Sequence, residues 1–264
     1  WNLKKYSENK KSTILDEKNE HGGPSWQFGF RTYFIKDNFI YLKGSSKTKN
    51  KGLIRKISTS GQIIEEIEVL HTSLGDLTFF DNKALYIGAS PVSNSEIVSL
   101  DLEKKELKTI KESNPLAIDN EEISMPEEIT FPTTKNATAY GYFYKPKNKK
   151  YEGSSQEKPP VLVISHGGPT SATSNALNLS IQYWTNRGIA VVDVNYRGST
   201  GYGRKFRDSL KGNCSICSDG DDKIIFKNSE EHTSPILHTY KCDGEYIVIT
   251  DNTVYILSSS TRVS

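Results

Sequence analysis

Short segments in which apolar and polar residues alternate fill the first part of the chain, and this is the pattern of half-buried β-strands. Two stretches, 33–46 and 78–91, share a skeleton in which Asp-Asn precedes an apolar–Tyr–apolar strand that ends at a glycine. Asp-Asn pairs favour tight hairpin turns because both residues tolerate left-handed backbone. Each stretch continues into a strand, a polar turn and another strand, at 53–70 and 96–110. The pattern therefore predicts two repeats of four strands.

The repeats have the strand spacing of β-propeller blades, which place four short strands in about 40–50 residues. Residues 1–15 look like the closing hairpin of a preceding unit. An ordinary β-meander is the alternative, but the whole skeleton recurs here and not only the alternation. We therefore assign residues 1–115 to the C-terminal blades of a β-propeller.

The pattern changes between residues 112 and 125, where turn-forming and acidic residues show no period, and we predict a domain boundary there. Residues 129–146 predict a β-hairpin. The apolar run 161–164 is typical of a strand buried on both faces of a parallel sheet. Residues 174–188 predict a helix, and 189–203 predict a second buried strand closed by a glycine-rich turn.

This helix is predicted to start at a cap formed by Ser174 or Asn175 and to end at Gly188. Its buried face is predicted to carry Leu177 and Trp184, among others. A strand, a helix and a parallel strand form a βαβ unit. The predicted fold is therefore mixed all-β and α/β: propeller blades at 1–115, then part of an α/β domain at 116–213, and a divergent strand-rich tail at 214–264.

Composition excludes several classes of function. Lys and Arg total 34 against 32 Asp and Glu, for a net charge of +2, which is not the basic footprint of a nucleic-acid-binding protein. The sequence contains no apolar run of about 18 residues, so we expect no membrane span. Three cysteines favour a reducing, cytoplasmic compartment. Because the first residue is Trp1, we expect a fragment or a processed product.

The tetrapeptide HGGP occurs twice, at His21–Pro24 and at His166–Pro169. The first copy precedes an aromatic-rich strand, so we interpret it as a turn with an exposed His21 and no catalytic role. The second follows a buried strand and precedes a helix, which is where α/β-hydrolases form part of the oxyanion hole. Gly168, or less readily Gly167, would donate the backbone N–H there. A tight turn without function is the alternative for this copy.

Five stretches of the sequence resemble parts of one protein family. They are GGPSWQFGFRTY, EEITFPT, AYGYFYKP, PPVLVISHGGPTS and YWTNRGIAVVDVNYRGSTGYGRKFRDSLKGN. The first resembles the entry to a late blade of the propeller of prolyl-oligopeptidase-type serine peptidases. The others resemble the first part of that family's catalytic domain, in the acylaminoacyl-peptidase and dipeptidyl-peptidase-like branch. The combination of HGGP with NYRGSTGYGRKF at this spacing is specific, and the resemblance covers about residues 1–213.

The resemblance implies an α/β-hydrolase whose propeller gates access to a Ser–Asp–His triad and which cleaves short peptides without a metal or cofactor. It implies an oxyanion N–H from the second glycine of HGGP, Gly168, with His166 and Gly167 supporting in the same loop. It also implies supporting roles for Arg197 and Tyr202 in the turn beside the site. It gives no oligomeric state.

The sequence departs from this family in one respect: it contains no G-x-S-x-G, the elbow that carries the nucleophile in α/β-hydrolases. The resemblance stops at about Asn213, and the later His232 and His238 match nothing in the family. We therefore predict that the chain lacks the nucleophile, Asp and His of the triad and does not cleave peptides by itself.

The tail leaves a second hypothesis open. The spacing of Cys214, Cys217, His232 and His238 loosely fits a zinc site. Pro235 lies between the two histidines, whereas a zinc finger places both on one helix, so we favour a strand segment with incidental cysteines. The alternative function is accordingly a non-catalytic β-rich binding or assembly protein, with or without zinc in the tail.

Overall fold

The computed structural model divides the chain into two compact units, Trp1–Arg204 and Lys205–Ser264. It contains many strands and few helices. Within the part of the chain that it describes, no helix has the length and apolar character needed to cross a membrane. It describes residues 2–263 except for residues 8, 18–19, 24–28, 47–50, 114–117, 134–136, 155, 168–170, 211–214, 220–221, 229–230, 233, 243–244, 251–253 and 259–261.

The first unit begins with an antiparallel hairpin of β1 (Leu3–Ser7) and β2 (Lys10–Leu15). Eight further strands then form two antiparallel sheets of four strands each, in the orders β3-β4-β5-β6 and β10-β9-β8-β7. The eight strands are β3 (Tyr33–Lys36), β4 (Phe39–Ser46), β5 (Lys51–Ser58), β6 (Ile63–Val69), β7 (Ser73–Phe80), β8 (Lys83–Ser90), β9 (Ser93–Asp101) and β10 (Leu107–Glu112).

Two Asp-Asn turns connect β3 to β4 and β7 to β8, as the repeated skeleton predicts. Asp37 and Asn38 have φ angles of 50° and 61°, and Asp81 and Asn82 have 48° and 60°. Two consecutive left-handed residues give the turn twist that matches two antiparallel strands. The predicted repeats of four strands are therefore present in the structure.

The two sheets share one hydrophobic core. Residues of β5 and β6 in the first sheet pack with residues of β7, β8 and β9 in the second, and the cluster includes Ile54, Leu77, Tyr86 and Val98, all of them almost completely buried. Alternation of apolar and polar residues along each strand aims one face of each sheet at this core. The same alternation made these strands recognisable in the sequence.

A third sheet of the first unit is mixed, in the order β11-β12-β14-β13. Strands β13 and β14 are parallel, and the other pairs are antiparallel. Helix α1 (Leu179–Thr185) connects β13 to β14, so the predicted strand–helix–strand order is present. The strands are β11 (Pro126–Thr133), β12 (Ala137–Tyr144), β13 (Val161–Ser165) and β14 (Ala190–Asn195).

The prediction that 161–164 is buried on both faces was wrong. Leu162 and Ile164 pack towards α1, but Val161 and Val163 are 53% and 65% exposed. The reason is that α1 packs on one face of β13, while the face with Val161 and Val163 is not covered by the described residues. An unbroken apolar run does not by itself show how many faces neighbouring elements cover.

Helix α1 also starts later than predicted. Its cap is Asn178, whose side chain accepts hydrogen bonds from Ser180 N and Ile181 N. The predicted cap Asn175 instead accepts a hydrogen bond of 2.7 Å from the Thr72 hydroxyl, and the peptide N–H of Leu177 donates to Ser90 O. Tertiary contacts thus hold the preceding residues as a loop. Trp184, predicted on the buried face, is 39% exposed.

Substituting Asn178 with alanine should lower the free energy of unfolding by about 1 kcal/mol, the usual cost of losing a helix cap. The side chain accepts two backbone N–H groups that would otherwise face solvent without a protein partner. Urea denaturation followed by circular dichroism measures the change. Ser180→Ala, on the exposed face of the same turn, is the matched control, and an equal effect of the two substitutions would contradict the cap.

The second unit begins within the short helix α2 (Arg204–Arg207) and continues through a 3-10 turn at Asp208–Leu210. It contains a sheet in the order β17-β16-β15-β21 and a sheet in the order β18-β19-β20. The tail is thus rich in strands, as predicted. The strands are β15 (Ser215–Asp219), β16 (Asp222–Asn228), β17 (Glu231–His232), β18 (Ile236–Cys242), β19 (Glu245–Thr250), β20 (Val254–Ser258) and β21 (Arg262–Val263).

Candidate functional site

The second HGGP copy begins directly after β13. Because β13 and β14 are parallel, His166 lies at the edge of the sheet where the carboxyl ends of both strands meet, and ligands bind at this edge in open α/β sheets. Gly167 has open space around its α-carbon, since a Cβ there would meet no described atom within 4 Å. Gly168, the predicted oxyanion donor, lies outside the described residues, as does Pro169.

The His166 imidazole is held by the turn that follows β14. Its Nε2 lies 2.7 Å from Ser199 Oγ, and its ring stacks on Tyr196 with centroids 4.5 Å apart. Ser199 Oγ donates its only proton to Tyr196 O at 2.7 Å. It therefore accepts from His166, whose Nε2 carries a proton. The turn consequently fixes the orientation of the ring through Nε2 and through the stacked face.

A serine beside a histidine suggests a nucleophile–base pair, but the environment of Ser199 opposes that role. The side chain is completely buried, and its proton is used in the bond to Tyr196 O. A nucleophile would need to meet substrate and give its proton to the histidine. The Ser199–His166 contact is therefore a structural clamp on the HGGP loop.

The end of β14 holds the other side of this loop through two buried polar residues. Asn195 Oδ1 accepts a hydrogen bond of 2.9 Å from Thr173 N, and Asp193 accepts one from the Thr173 hydroxyl. Burial raises the pKa of Asp193, while the Thr173 hydroxyl and the charge of His166 oppose that shift. The loop is thus fixed on both sides of Gly168. The sequence analysis missed these residues, although their position at a strand end was a signal.

Of the two residues expected to support the site, Tyr202 belongs to this network. Its hydroxyl accepts a hydrogen bond of 3.0 Å from Asn195 Nδ2, and its ring stacks on Tyr140 at 4.2 Å. Burial raises the pKa of Tyr202 to about 12, so the hydroxyl stays protonated at neutral pH. Arg197 lies in the same turn and is half-buried.

An open cleft of about 570 Å³ lies beside the loop. Its lining includes His166, Thr173 and Asp193 from the network and Leu179 from α1. The cleft therefore combines an apolar wall with polar groups at the carboxyl end of the sheet. This combination is typical of sites for small organic ligands.

The first HGGP copy has a different environment, and the expectation of an exposed His21 was wrong. His21 is only 6% exposed, and its Nε2 lies 3.4 Å from Glu17 Oε2. Burial lowers the pKa of His21, and the charge of Glu17 partly opposes this. The same carboxylate of Glu17 lies 2.9 Å from Nη1 of the buried Arg55, so His21 is next to a buried ion pair.

The proposed zinc ligands of the tail are only partly described. Cys214 lies outside the described residues, whereas Cys217 is in β15, His232 in β17 and His238 in β18. His238 is exposed. Among the residues that the structure describes, no group of three or more His, Cys, Asp or Glu side chains is arranged to hold a metal ion.

Comparison with known proteins gives a family match for part of the chain next to this site. The family model "Prolyl oligopeptidase family" matches residues 175–221. This range includes α1, β14 and the turn that holds His166, but not His166 itself. This segment is therefore similar to the prolyl oligopeptidase family. The strand-rich architecture with few helices agrees with the propeller-and-hydrolase fold of prolyl oligopeptidases.

Individual relatives of this chain are peptidases by name. The chain is 30% identical over 122 residues to "Uncharacterized peptidase YuxL" of Bacillus subtilis, which covers 46% of this chain and 18% of the relative. It is 32% identical over 87 residues to dipeptidyl aminopeptidase BIII of Pseudoxanthomonas mexicana, covering 33% and 13%. A puromycin hydrolase crystal structure superposes with a TM-score of 0.71 at 29% identity, over 80% of this chain and 32% of the other. The chain thus spans less than a fifth of the length of the Bacillus and Pseudoxanthomonas relatives and about a third of the puromycin hydrolase.

Proposed function

We propose that this chain provides the propeller side and the oxyanion loop of a serine peptidase that hydrolyses peptide bonds through an acyl-enzyme. The observation that carries the proposal is the fixed position of His166 at the carboxyl end of β13, with the loop clamped by Ser199 before Gly168 and by Asn195 after it. An oxyanion donor is effective only when it is held in place before the reaction. The peptidase relatives support the same reaction class.

In this proposal the chain has three parts. Residues 1–115 are the last blades of a propeller, in which each of the two four-stranded antiparallel sheets is one blade. Residues 116–213 are the N-terminal half of the hydrolase domain, built on the mixed sheet, and residues 214–264 are a divergent tail. The backbone N–H of Gly168 is the donor to the oxyanion, and a short peptide is the substrate.

We further propose that these 264 residues do not hydrolyse peptides by themselves. They contain no G-x-S-x-G, and the serine nearest to His166 in this network is buried and already bonded. Without a nucleophile, an oxyanion donor and a binding surface retain only a small fraction of the rate enhancement. The alternative is a non-catalytic binding or assembly protein with or without zinc in the tail. The described residues contain no metal-binding cluster that would support the zinc site.

A fluorophosphonate probe should leave the purified chain unlabelled, because such probes need a nucleophilic serine. Labelling is measured by intact-protein mass spectrometry, with an active serine peptidase in the same reaction as the positive control. Clear labelling of this chain would overturn the claim of inactivity. Ser199→Ala then shows whether the buried serine was the labelled group.

Peptide binding tests the site independently of turnover. Titration with a short peptide, up to about 10 mM for a weak ligand, should shift the backbone resonances of His166, Gly167 and Thr173. Residues of the β1–β2 hairpin, such as Tyr6, are internal controls and should not move. Shifts confined to the hairpin, or no shifts at all, would contradict the assignment of this loop as the peptide site.

A further inference from the structure

Glu20, one residue before the first HGGP, reaches the turn beside the second HGGP. Its Oε2 accepts a hydrogen bond of 2.6 Å from the backbone N–H of Gly201, across 181 residues of sequence. A carboxylate that accepts from a peptide N–H forms a short, charge-assisted hydrogen bond. The two copies of the tetrapeptide are therefore connected through one side chain that belongs to neither of them.

Gly201 is the last of three consecutive residues that each hold a different segment. Ser199 Oγ contacts His166 at 2.7 Å, Thr200 N donates to Ser171 O at 2.9 Å, and Gly201 N donates to Glu20. His166 and Ser171 bracket the loop that contains Gly168. A displacement of Gly201 would move Thr200 and Ser199, and both ends of that loop would move with them.

This turn needs an anchor because its backbone is glycine-rich. Gly198, Gly201 and Gly203 have φ angles of 106°, 89° and 87°. A glycine loses more conformational freedom on ordering than any other residue, so such a turn keeps one shape only where outside contacts fix it. At Gly201, Glu20 supplies such a contact.

Glu17, three residues before Glu20 in the sequence, is bound to the first four-stranded sheet. Glu17 accepts two hydrogen bonds from Arg55 Nη1, at 2.9 Å and 3.2 Å, and Arg55 Nε donates to Glu66 at 2.7 Å. Arg55 lies on β5, in the middle of that sheet. The sheet thus holds a residue close to Glu20 in sequence, and the carboxylate of Glu20 contacts the turn at Gly201.

We propose that Glu20 is a positioning residue that holds His166 and Ser171, the described ends of the HGGP loop, through the turn Ser199–Gly201. The inference rests on the proposed function, because it assigns the loop a geometry that matters for an oxyanion. It links the antiparallel-sheet part of the chain to the HGGP loop by one hydrogen bond. Glu20 acts on the loop through other residues and touches no substrate.

Three substitutions of Glu20 test this link in the full chain by NMR. Glu20→Ala should speed hydrogen exchange of the Gly201 amide about tenfold, the effect of losing one charge-assisted hydrogen bond. It should also broaden or shift the His166 Nε2–H resonance, because Ser199 loses its fixed position. Glu20→Asp keeps the charge but shortens the side chain, so it should act like alanine. Glu20→Gln keeps the length of the side chain and a carbonyl oxygen as acceptor. The Gly201 exchange rate and the His166 Nε2–H resonance should therefore stay close to those of the natural chain.

Glu152→Ala, in an exposed loop, is the matched control and should leave both signals unchanged. Faster Gly201 exchange with an unchanged His166 resonance would show a local anchor only and would overturn the proposal. Unchanged Gly201 exchange in both Glu20→Ala and Glu20→Asp would also overturn it. These readouts do not depend on hydrolysis, so failure of the proposed peptidase role would appear separately, in the peptide titration.

Discussion

Replacing Glu96 with alanine should lower the free energy of unfolding by about 2–3 kcal/mol, the cost of stranding a buried donor that was bonded to a charged group. His71 is buried between the sheet strands, and its Nε2 lies 2.6 Å from Glu96 Oε1. Its Nδ1 lies 3.0 Å from the Tyr86 hydroxyl. Without Glu96, the Nε2–H group has no acceptor left in this network. Urea denaturation measures the loss.

The control for Glu96→Ala is a glutamate in an exposed ion pair. Glu127 lies 2.6 Å from Lys145 Nζ, and both side chains are more than half exposed. Glu127→Ala should cost less than about 1 kcal/mol, because solvent screens such pairs. Equal losses for the two alanine variants would contradict the importance of the buried network around His71.

The carboxylate of Glu96 should also make the stability of the fold depend on pH. Burial raises the pKa of Glu96, but hydrogen bonds from Thr109 and His71 outweigh burial and leave the pKa below its ordinary value of 4.5. A lowered pKa in the folded state means that the ionised form stabilises the fold above pH 4.5 and that this contribution disappears as the pH falls through the folded pKa. The stability difference between the natural chain and Glu96→Gln should therefore shrink in acid. A constant difference would contradict the bonding of an ionised carboxylate.

The parts of the fold that follow from local chemistry could be predicted from the sequence. Asp37-Asn38 and Asp81-Asn82 form hairpin turns because these residue types accept left-handed backbone wherever they occur. Strands β3 to β10 follow from an alternation that places every second residue on the core face. Strand β14 was recognisable from its apolar run, and the turn after it from its glycines.

Other parts were not predictable because they depend on partners far away in the sequence. His21 is buried beside Glu17, which pairs with the distant Arg55, and Asn175 bonds to Thr72 instead of capping α1. The exposed face of β13 depends on which elements pack on that face of the sheet. The contact between Ser199 and His166 requires the Ser199 side chain to point into the protein. The turn that carries Ser199 contains three glycines with positive φ angles. No periodicity in the sequence encodes these contacts.

Substituting Gly141 with alanine should lower the free energy of unfolding by about 3 kcal/mol, the upper range for overpacking a well-packed site. A Cβ at Gly141 would lie 2.7 Å from the backbone oxygen of Asp193 and 3.4 Å from the Cα of Val194. Strand β12 is paired on both edges, with β11 and β14, so it cannot move away without breaking one ladder. Strand β14 is equally fixed between β12 and β13. The clash must therefore strain the sheet.

The effect of Gly141→Ala should reach the candidate site, because β14 ends in the residues that hold the HGGP loop. A shift of the end of β14 displaces Asn195, whose Oδ1 accepts from the Thr173 amide, together with Asp193, which accepts from the Thr173 hydroxyl, so the Thr173 amide should exchange faster in this variant than in the natural chain. Gly153→Ala is the matched control, since a Cβ there meets no described atom within 4 Å and should change stability by no more than about 0.5 kcal/mol. If the two glycine variants unfold at the same urea concentration, β12 and β14 are not packed as closely as the structure requires. If Gly141→Ala is destabilised while Thr173 exchange stays constant, the sheet does not fix Thr173, and the positions of His166 and Ser171 must depend on the turn after β14 instead.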